Sequence, residues 1–350
     1  MSQQILPFSL GLILFSFLLT CLLMVPFINL LYKLKLTRKK EAPKKGKIPL
    51  FDKLHDKKAG TPLGGGILIV VIVTLLFYLL FPFASHMGVY ISSCFDLRTE
   101  LFVIFFTFVS FGLLGFTDDL IKIFGRPKKG FAGFFRGLTG RQKFIVQFFL
   151  AGIISWILYT KLGIKILHIP LFDFTFDLNI FYVPFASFVI VSFSNAFNIT
   201  DGLDGLATGL LLICLLVFAI LAASSLDTPL ILMISLWLGS LIAFLYFNVW
   251  PARIFLGDAG ALSFGAMLAV IGLLTGSIIA LVVVGGIFVV EIASSAIQII
   301  SLRLFKKKVF ILAPIHNSFL ARNWEEPKIV VRAWLAGIIL AIFALWLSTI

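Results

Sequence analysis

Long apolar runs constrain this chain before any single residue does. Ten stretches consist almost wholly of Leu, Ile, Val, Phe and small residues. They have the length of about 20 residues that a helix needs to cross a hydrocarbon core. They fall near 6–32, 63–84, 100–117, 143–160, 181–197, 205–224, 229–247, 260–276, 278–302 and 331–349. Only 13% of residues are charged, against about a quarter in a water-soluble domain. Lipid admits helices and closed barrels, and these runs are continuous rather than alternating. The expected fold is an all-α polytopic membrane protein of about ten transmembrane helices, one integral domain over 1–350. Little more than Thr275–Ser277 divides the eighth run from the ninth.

Basic residues set the orientation. The segments 33–60, 118–143, 248–259 and 303–332 hold 26 of the 29 Lys and Arg, leaving Arg98, Lys161 and Lys165 on the other side. The positive-inside rule makes the four basic segments cytoplasmic and both termini extracytoplasmic. The opening MSQQ lacks the basic region of a signal peptide, so the first run reads as a retained span. Cys21, Cys94 and Cys214 are scattered and form no CxxC or zinc spacing. On the outer side Phe172, Phe174, Phe176 and Leu178 alternate with polar residues, and 164–169 alternates less cleanly. That period of two predicts a small extracytoplasmic β-hairpin near 164–178.

The unusual polar residues all fall on the cytoplasmic side. Asp118 and Asp119 follow the third run with Lys122 three and four residues on, either helix-end acids neutralised by a lysine or part of a site. Acids at a helix C-terminus oppose the macrodipole and call for a reason. In NAFNITDGLDGLATG, Asn195, Asn198, Asp201 and Gly205 recur at helical spacing as one polar stripe. Gly202, Gly205 and Gly209 would form a second face for close helix approach. A helix cap at Thr200 or Asp201 accounts for one of these residues and not the rest. Asp258 precedes an apolar helix, as an N-cap or as a site residue, and Asn248 lies at the same level. Lys58 precedes GTPLGGG, which lacks the Lys-Ser/Thr of a Walker motif but could hold an anion on its amides. His316 reads as an incidental surface residue or a ligand. Glu291, inside the ninth run, is either functional or bonded by Ser294 and Ser295.

Carboxylates with few His or Cys favour a hard cation, Mg²⁺ with Mn²⁺ as substitute. Mg²⁺ beside Lys and Arg is the arrangement of phosphoryl transfer. At a membrane face it suits a soluble nucleotide donor and a lipid phosphate. An ion-coupled transporter is the reading from another class, but its acids belong at midplane, where only Glu291 lies.

GFTDDLIK, NAFNITDGLDGLATG, FLGDAGALSFG and APIHNSFLARNWEEPKIVVRAW occur in that order over nearly the whole chain. Together they resemble the polyprenyl-phosphate N-acetylhexosamine-1-phosphate transferases. KKAGTPLGGG and NWEEPKIVVRAW are similar to the phospho-N-acetylmuramoyl-pentapeptide branch. The resemblance implies transfer of phospho-MurNAc-pentapeptide from a UDP donor to undecaprenyl phosphate, giving lipid I and UMP. It implies a bacterial cytoplasmic membrane, a site facing the cytoplasm and a homodimer, with no nucleic-acid partner. A related UDP-GlcNAc transferase is the alternative.

By the same resemblance Asp258 is the Mg²⁺ ligand. Asp118 and Asp119 are the essential pair, one deprotonating or replacing the attacking phosphate. Asn195, Asn198 and Asp201 are the catalytic stripe, and Asp204 lies near the uracil. Lys58, Lys122, Lys143 and Asn248 surround the phosphates, and Phe255 lies near the nucleoside. His316 opens the family's three-histidine motif, and here the chain departs: Asn317 and Ser318 replace the next two histidines. GTPLGGG also replaces the more usual GTPTMGG.

Overall fold

The computed structural model describes residues 5–38, 58–124 and 138–350. Among these, ten helices are long and apolar enough to cross a membrane, as the sequence predicts. In chain order the helices and strands are α1 (Ile5–Lys33), α2 (Gly65–Leu80), α3 (Leu97–Phe124), α4 (Gly140–Thr160), β1 (Ile166–Ile169), β2 (Phe174–Asp177), α5 (Tyr182–Thr200), α6 (Leu206–Ser224), α7 (Thr228–Asn248), α8 (Gly257–Leu274), α9 (Ile278–Val284), α10 (Gly286–Leu304), α11 (Ile315–Ala321) and α12 (Glu326–Thr349).

Three boundaries differ from the sequence reading. Helix α3 continues to Phe124, so Asp118 and Asp119 lie inside it rather than after its end. Helix α8 begins at Gly257, so Asp258 occupies its first turn and is not its N-cap. The ninth run is two helices, the seven-residue α9 and the spanning α10, parted at Gly285. Apolar residues continue across that break, so hydropathy carries no sign of it. The predicted hairpin is present, with Ile166 opposite Asp177 and Ile169 opposite Phe174. Phe172 belongs to its turn, and all four β2 residues are exposed, so the alternation buries no face.

Helix α8 is the axis of the bundle. Every residue in it is buried except Asp258. A helix apolar on all sides belongs at a core, and small residues let its neighbours close in. A side chain at Gly115 of α3 would strike the backbone of Asp258 and Ala259, and one at Gly66 of α2 would strike Gly260. The bare Gly115 therefore seats the acidic end of α3 against the start of α8. Higher up, Phe108, Trp237 and Phe264 pack with ring centroids 5.2–5.8 Å apart. Hydroxyls tie the helices where no water competes. Ser263 donates to the Phe108 carbonyl at 2.6 Å, Ser194 to Leu262 at 3.0 Å, and Thr20 to Ser240 at 3.1 Å. The core thus fixes the ends of α3, α5 and α8 at one level.

Candidate active site

Two carboxylates and two lysines meet where α3, α4 and α8 converge. Lys122 reaches Asp118 Oδ2 at 2.9 Å and Asp258 Oδ2 at 2.7 Å. Lys143, in the first turn of α4, reaches Asp118 Oδ2 at 3.1 Å and also pairs with Asp258 Oδ2. Thr139 and Gln142 form a capping box that starts α4 and so sets Lys143 in place. Asn198 Nδ2 donates to Asp258 Oδ1 at 3.0 Å, bringing the α5 stripe into the same cluster.

Asp118 and Asp119 have different tasks. Asp118 turns its Oδ2 to the lysines, while its Oδ1 accepts from Leu138 N at 2.7 Å. Asp119 turns away and accepts from Ala259 N at 3.1 Å. It caps the first turn of α8 from another helix, since Leu256 and Gly257 offer no side-chain cap. Asp118 therefore faces the cluster, and Asp119 holds the segment that presents Asp258.

Asn195 stands apart from the carboxylates. Its amide donates to Gln147 Oε1 at 2.7 Å and to the Val191 carbonyl at 2.8 Å. The stripe is real from Asn195 to Asp201, but the helix ends at Thr200, and Gly205 sits in the following turn at φ 76°. The glycines do not form one face. Gly202 abuts His316, while Gly205 and Gly209 abut Trp334 of α12.

A second cluster is buried beside the first. Lys58 Nζ pairs with Asp204 Oδ1 at 2.6 Å and with Glu326 Oε1 at 2.5 Å. Glu326 also accepts from Asp204 N at 2.6 Å, and Asp204 Oδ2 accepts from Ala252 N at 2.9 Å. Trp250 and Phe255 flank Lys58, each with its ring centroid 5.9 Å from Nζ. The Gly64 and Gly65 amides donate to the Phe255 carbonyl and the Gly66 amide to Leu256. With the Gly60 amide bonded to Arg38, Thr61 to Lys58 and Leu63 to Leu36, the GTPLGGG amides are all taken by backbone carbonyls and are not free for an anion. Asn248 is likewise engaged: it accepts from Gly205 N and Thr208 Oγ1 and donates to the Ile254 carbonyl at 2.9 Å.

His316 is buried rather than on the surface, and its Nδ1 lies 3.0 Å from Glu291 Oε2. Ser294 bonds the backbone carbonyl of Glu291, not its carboxylate. His316, Gln298, Asn198, Asp201 and Arg38 line a cavity of about 670 Å³, within the usual size of a small-molecule site. A separate apolar groove of about 510 Å³ is lined by Phe144, Phe148, Phe188, Val289 and Ala293, with Asn195 among its walls. Helices α5 and α10 contribute to both.

Half-buried Asp201 lies outside the spans. Burial pushes its carboxyl up to about 8, Lys58 pulls it back, and the carboxylates of Asp258 and Asp204 reinforce the rise. Between about pH 4 and pH 8 the folded chain keeps a proton that the unfolded chain has lost. Its contribution to stability therefore falls as pH climbs through that window. Thermal unfolding at pH 5 and pH 8.5 is expected to show a smaller loss at high pH for Asp201→Asn than for the wild type.

Residues 101–276 match the family described as Glycosyl transferase family 4. Three proteins named phospho-N-acetylmuramoyl-pentapeptide-transferase are similar over most of their length. That of Caldanaerobacter subterraneus subsp. tengcongensis is 37% identical over 82% of this chain and 84% of its own. That of Thermodesulfovibrio yellowstonii is 37% identical over 95% and 90%, and that of Bacillus pumilus 34% over 99% of both. The chain belongs to the phospho-N-acetylmuramoyl-pentapeptide-transferase family. It is a multi-pass membrane enzyme, and the transporter reading is set aside. In this transferase Glu326, which bonds Lys58 and Asp204, and Gln147, which bonds Asn195, are partners of candidate site residues that the sequence reading passes over. Glu326 had a signal, an acid directly before Pro327 at the start of a span; Gln147, a lone amide within an apolar run, had a fainter one.

Proposed function

We propose that the enzyme transfers phospho-MurNAc-pentapeptide from its UDP donor to undecaprenyl phosphate, releasing UMP and forming lipid I. One observation carries this reading: helix α5 links the carboxylate–lysine cluster to both pockets, since Asn198, which bonds Asp258, lines the polar cavity and Asn195, one turn earlier, lines the apolar groove. The cavity suits the nucleotide, with Asp201 and His316 in its wall. The groove suits a prenyl chain whose phosphate ends near Asn195 and the lysines.

The donor set is entirely oxygen, and among the described residues no three His, Cys, Asp or Glu converge on one point. That fits Mg²⁺, which takes one or two carboxylates and completes its shell with water and substrate phosphates. Asp258 would hold it with Asp118 adjacent. A bound Mg²⁺ supplies charge neutralisation on the transferring phosphoryl group. Lys122 and Lys143, which pair with the carboxylates here, exchange them for phosphate oxygens as the diphosphate enters, so no charge is left uncompensated. Asp118 is then free either to take the proton of the lipid phosphate, whose oxygen attacks the sugar-linked phosphorus as its bond to UMP breaks, or to attack that phosphorus itself with loss of UMP and then be displaced by the lipid phosphate. The count of basic residues supports a cytoplasmic site and extracytoplasmic termini in a bacterial inner membrane.

The two-sided arrangement is testable on α10 alone. Ala293→Trp, which fills the groove, is expected to raise KM for undecaprenyl phosphate at least tenfold and leave KM for the donor near wild type. Ser295→Trp, which fills the cavity, is expected to do the reverse. Equal effects of both variants on both substrates would contradict the assignment.

A further inference from the structure

We propose that Glu291 is a positioning residue for His316, holding the imidazole so that its Nε2 faces the donor cavity. The inference rests on the reading of that cavity as the donor site. Glu291 is buried within a spanning helix, where an acid without a partner is costly. Its carboxylate Oε2 lies 3.0 Å from His316 Nδ1 and accepts from His316 N at 3.4 Å. Ser294, one turn on, accepts from Ile315 N at 3.0 Å. Three bonds from one turn of α10 therefore fix the start of α11.

A carboxylate that accepts a hydrogen bond from Nδ1–H decides which ring nitrogen remains for other work. That nitrogen is Nε2, and it points at Gly202. A side chain there would have its first carbon 2.5 Å from Nε2, so the missing Cβ leaves room for the ring edge. Gly202 and His316 both line the cavity. The ring thus forms part of the cavity wall that also holds Asp201 and Gly202. The loss of two histidines from the family's motif does not touch this pair, because Asn317 and Ser318 lie one and two residues beyond it.

Two measurements test the proposal. The first is the ¹⁵N ring signal of His316 in uniformly labelled protein, assigned by its loss in His316→Asn. The expected signal carries the proton on Nδ1, and Glu291→Gln is expected to shift it. A wild-type signal with the proton on Nε2 alone would overturn the proposal without any further variant. The second is a double-mutant cycle on UMP release. Glu291→Gln is expected to lower kcat by about 10–100-fold, the size carried by outer-shell partners of functional histidines. In the His316→Asn background it is expected to cost no more than about twofold. A full loss in that background would mean that Glu291 acts independently of His316, and would overturn the proposal. If the wild type releases no UMP from the muramoyl donor, the donor reading fails and the ring signal alone decides the pairing.

Discussion

Asp258→Asn is expected to lower turnover by about 10²–10³-fold or more while the protein stays folded, on the scale of removing one charge-stabilising group from an active site. The substitution keeps the size of the side chain and removes its charge. Both lysines then lose one of their two carboxylate partners, and the carboxylate proposed to hold Mg²⁺ becomes a neutral amide. Stability should fall only modestly, because Asp118 still pairs with both lysines and Lys122 is partly exposed. Asp258 is the only residue of α8 that is not buried, and the α8 first turn is held by Asp119 through Ala259 N. UMP release and thermal unfolding, measured on the same purified sample, check both halves. Near-wild-type turnover would remove Asp258 from the chemistry.

Glu326→Ala carries the largest expected effect on stability. Glu326, Lys58 and Asp204 are all buried, and Glu326 accepts from both Lys58 Nζ and Asp204 N. Lys58 and Asp204 remain a matched ion pair, but the Asp204 amide and one Lys58 N–H lose their buried acceptor, at about 1–3 kcal/mol for each group left unsatisfied. Glu326 begins α12, Lys58 precedes α2, and Asp204 lies in the turn between α5 and α6, so the loss loosens three parts of the site at once. A thermal midpoint lowered by several degrees is the expected result, with Glu326→Gln, which keeps an acceptor, intermediate. An unchanged midpoint for Glu326→Ala would mean that the cluster is not a structural tie.

The spans were legible because a bilayer imposes one length and one polarity on every helix that crosses it. Their ends were less so, for a physical reason. Hydropathy falls at Asp118, Asp119 and Asp258, but these residues lie inside helices because Lys122 of α3, Lys143 of α4 and a backbone amide of α8 satisfy the carboxylates. The residue types of the site were legible from charge in an apolar setting. The pairings were not. Lys58 meets Asp204 and Glu326 across 146 and 268 residues, and nothing in local spacing encodes that meeting. Glu291 has serines three and four residues on, yet its carboxylate is taken by His316, twenty-five residues away. Asn195 shares a stripe with Asn198 but faces Gln147, because α4 packs on that side of α5.

The most direct test offers purified protein UDP-MurNAc-pentapeptide or UDP-GlcNAc together with undecaprenyl phosphate, with Mg²⁺ present or chelated. The expected result is UMP release from the muramoyl donor, matched one for one by lipid-linked product and lost when the metal or the lipid is withheld. Release from UDP-GlcNAc alone, or turnover that persists in chelator, would contradict the account.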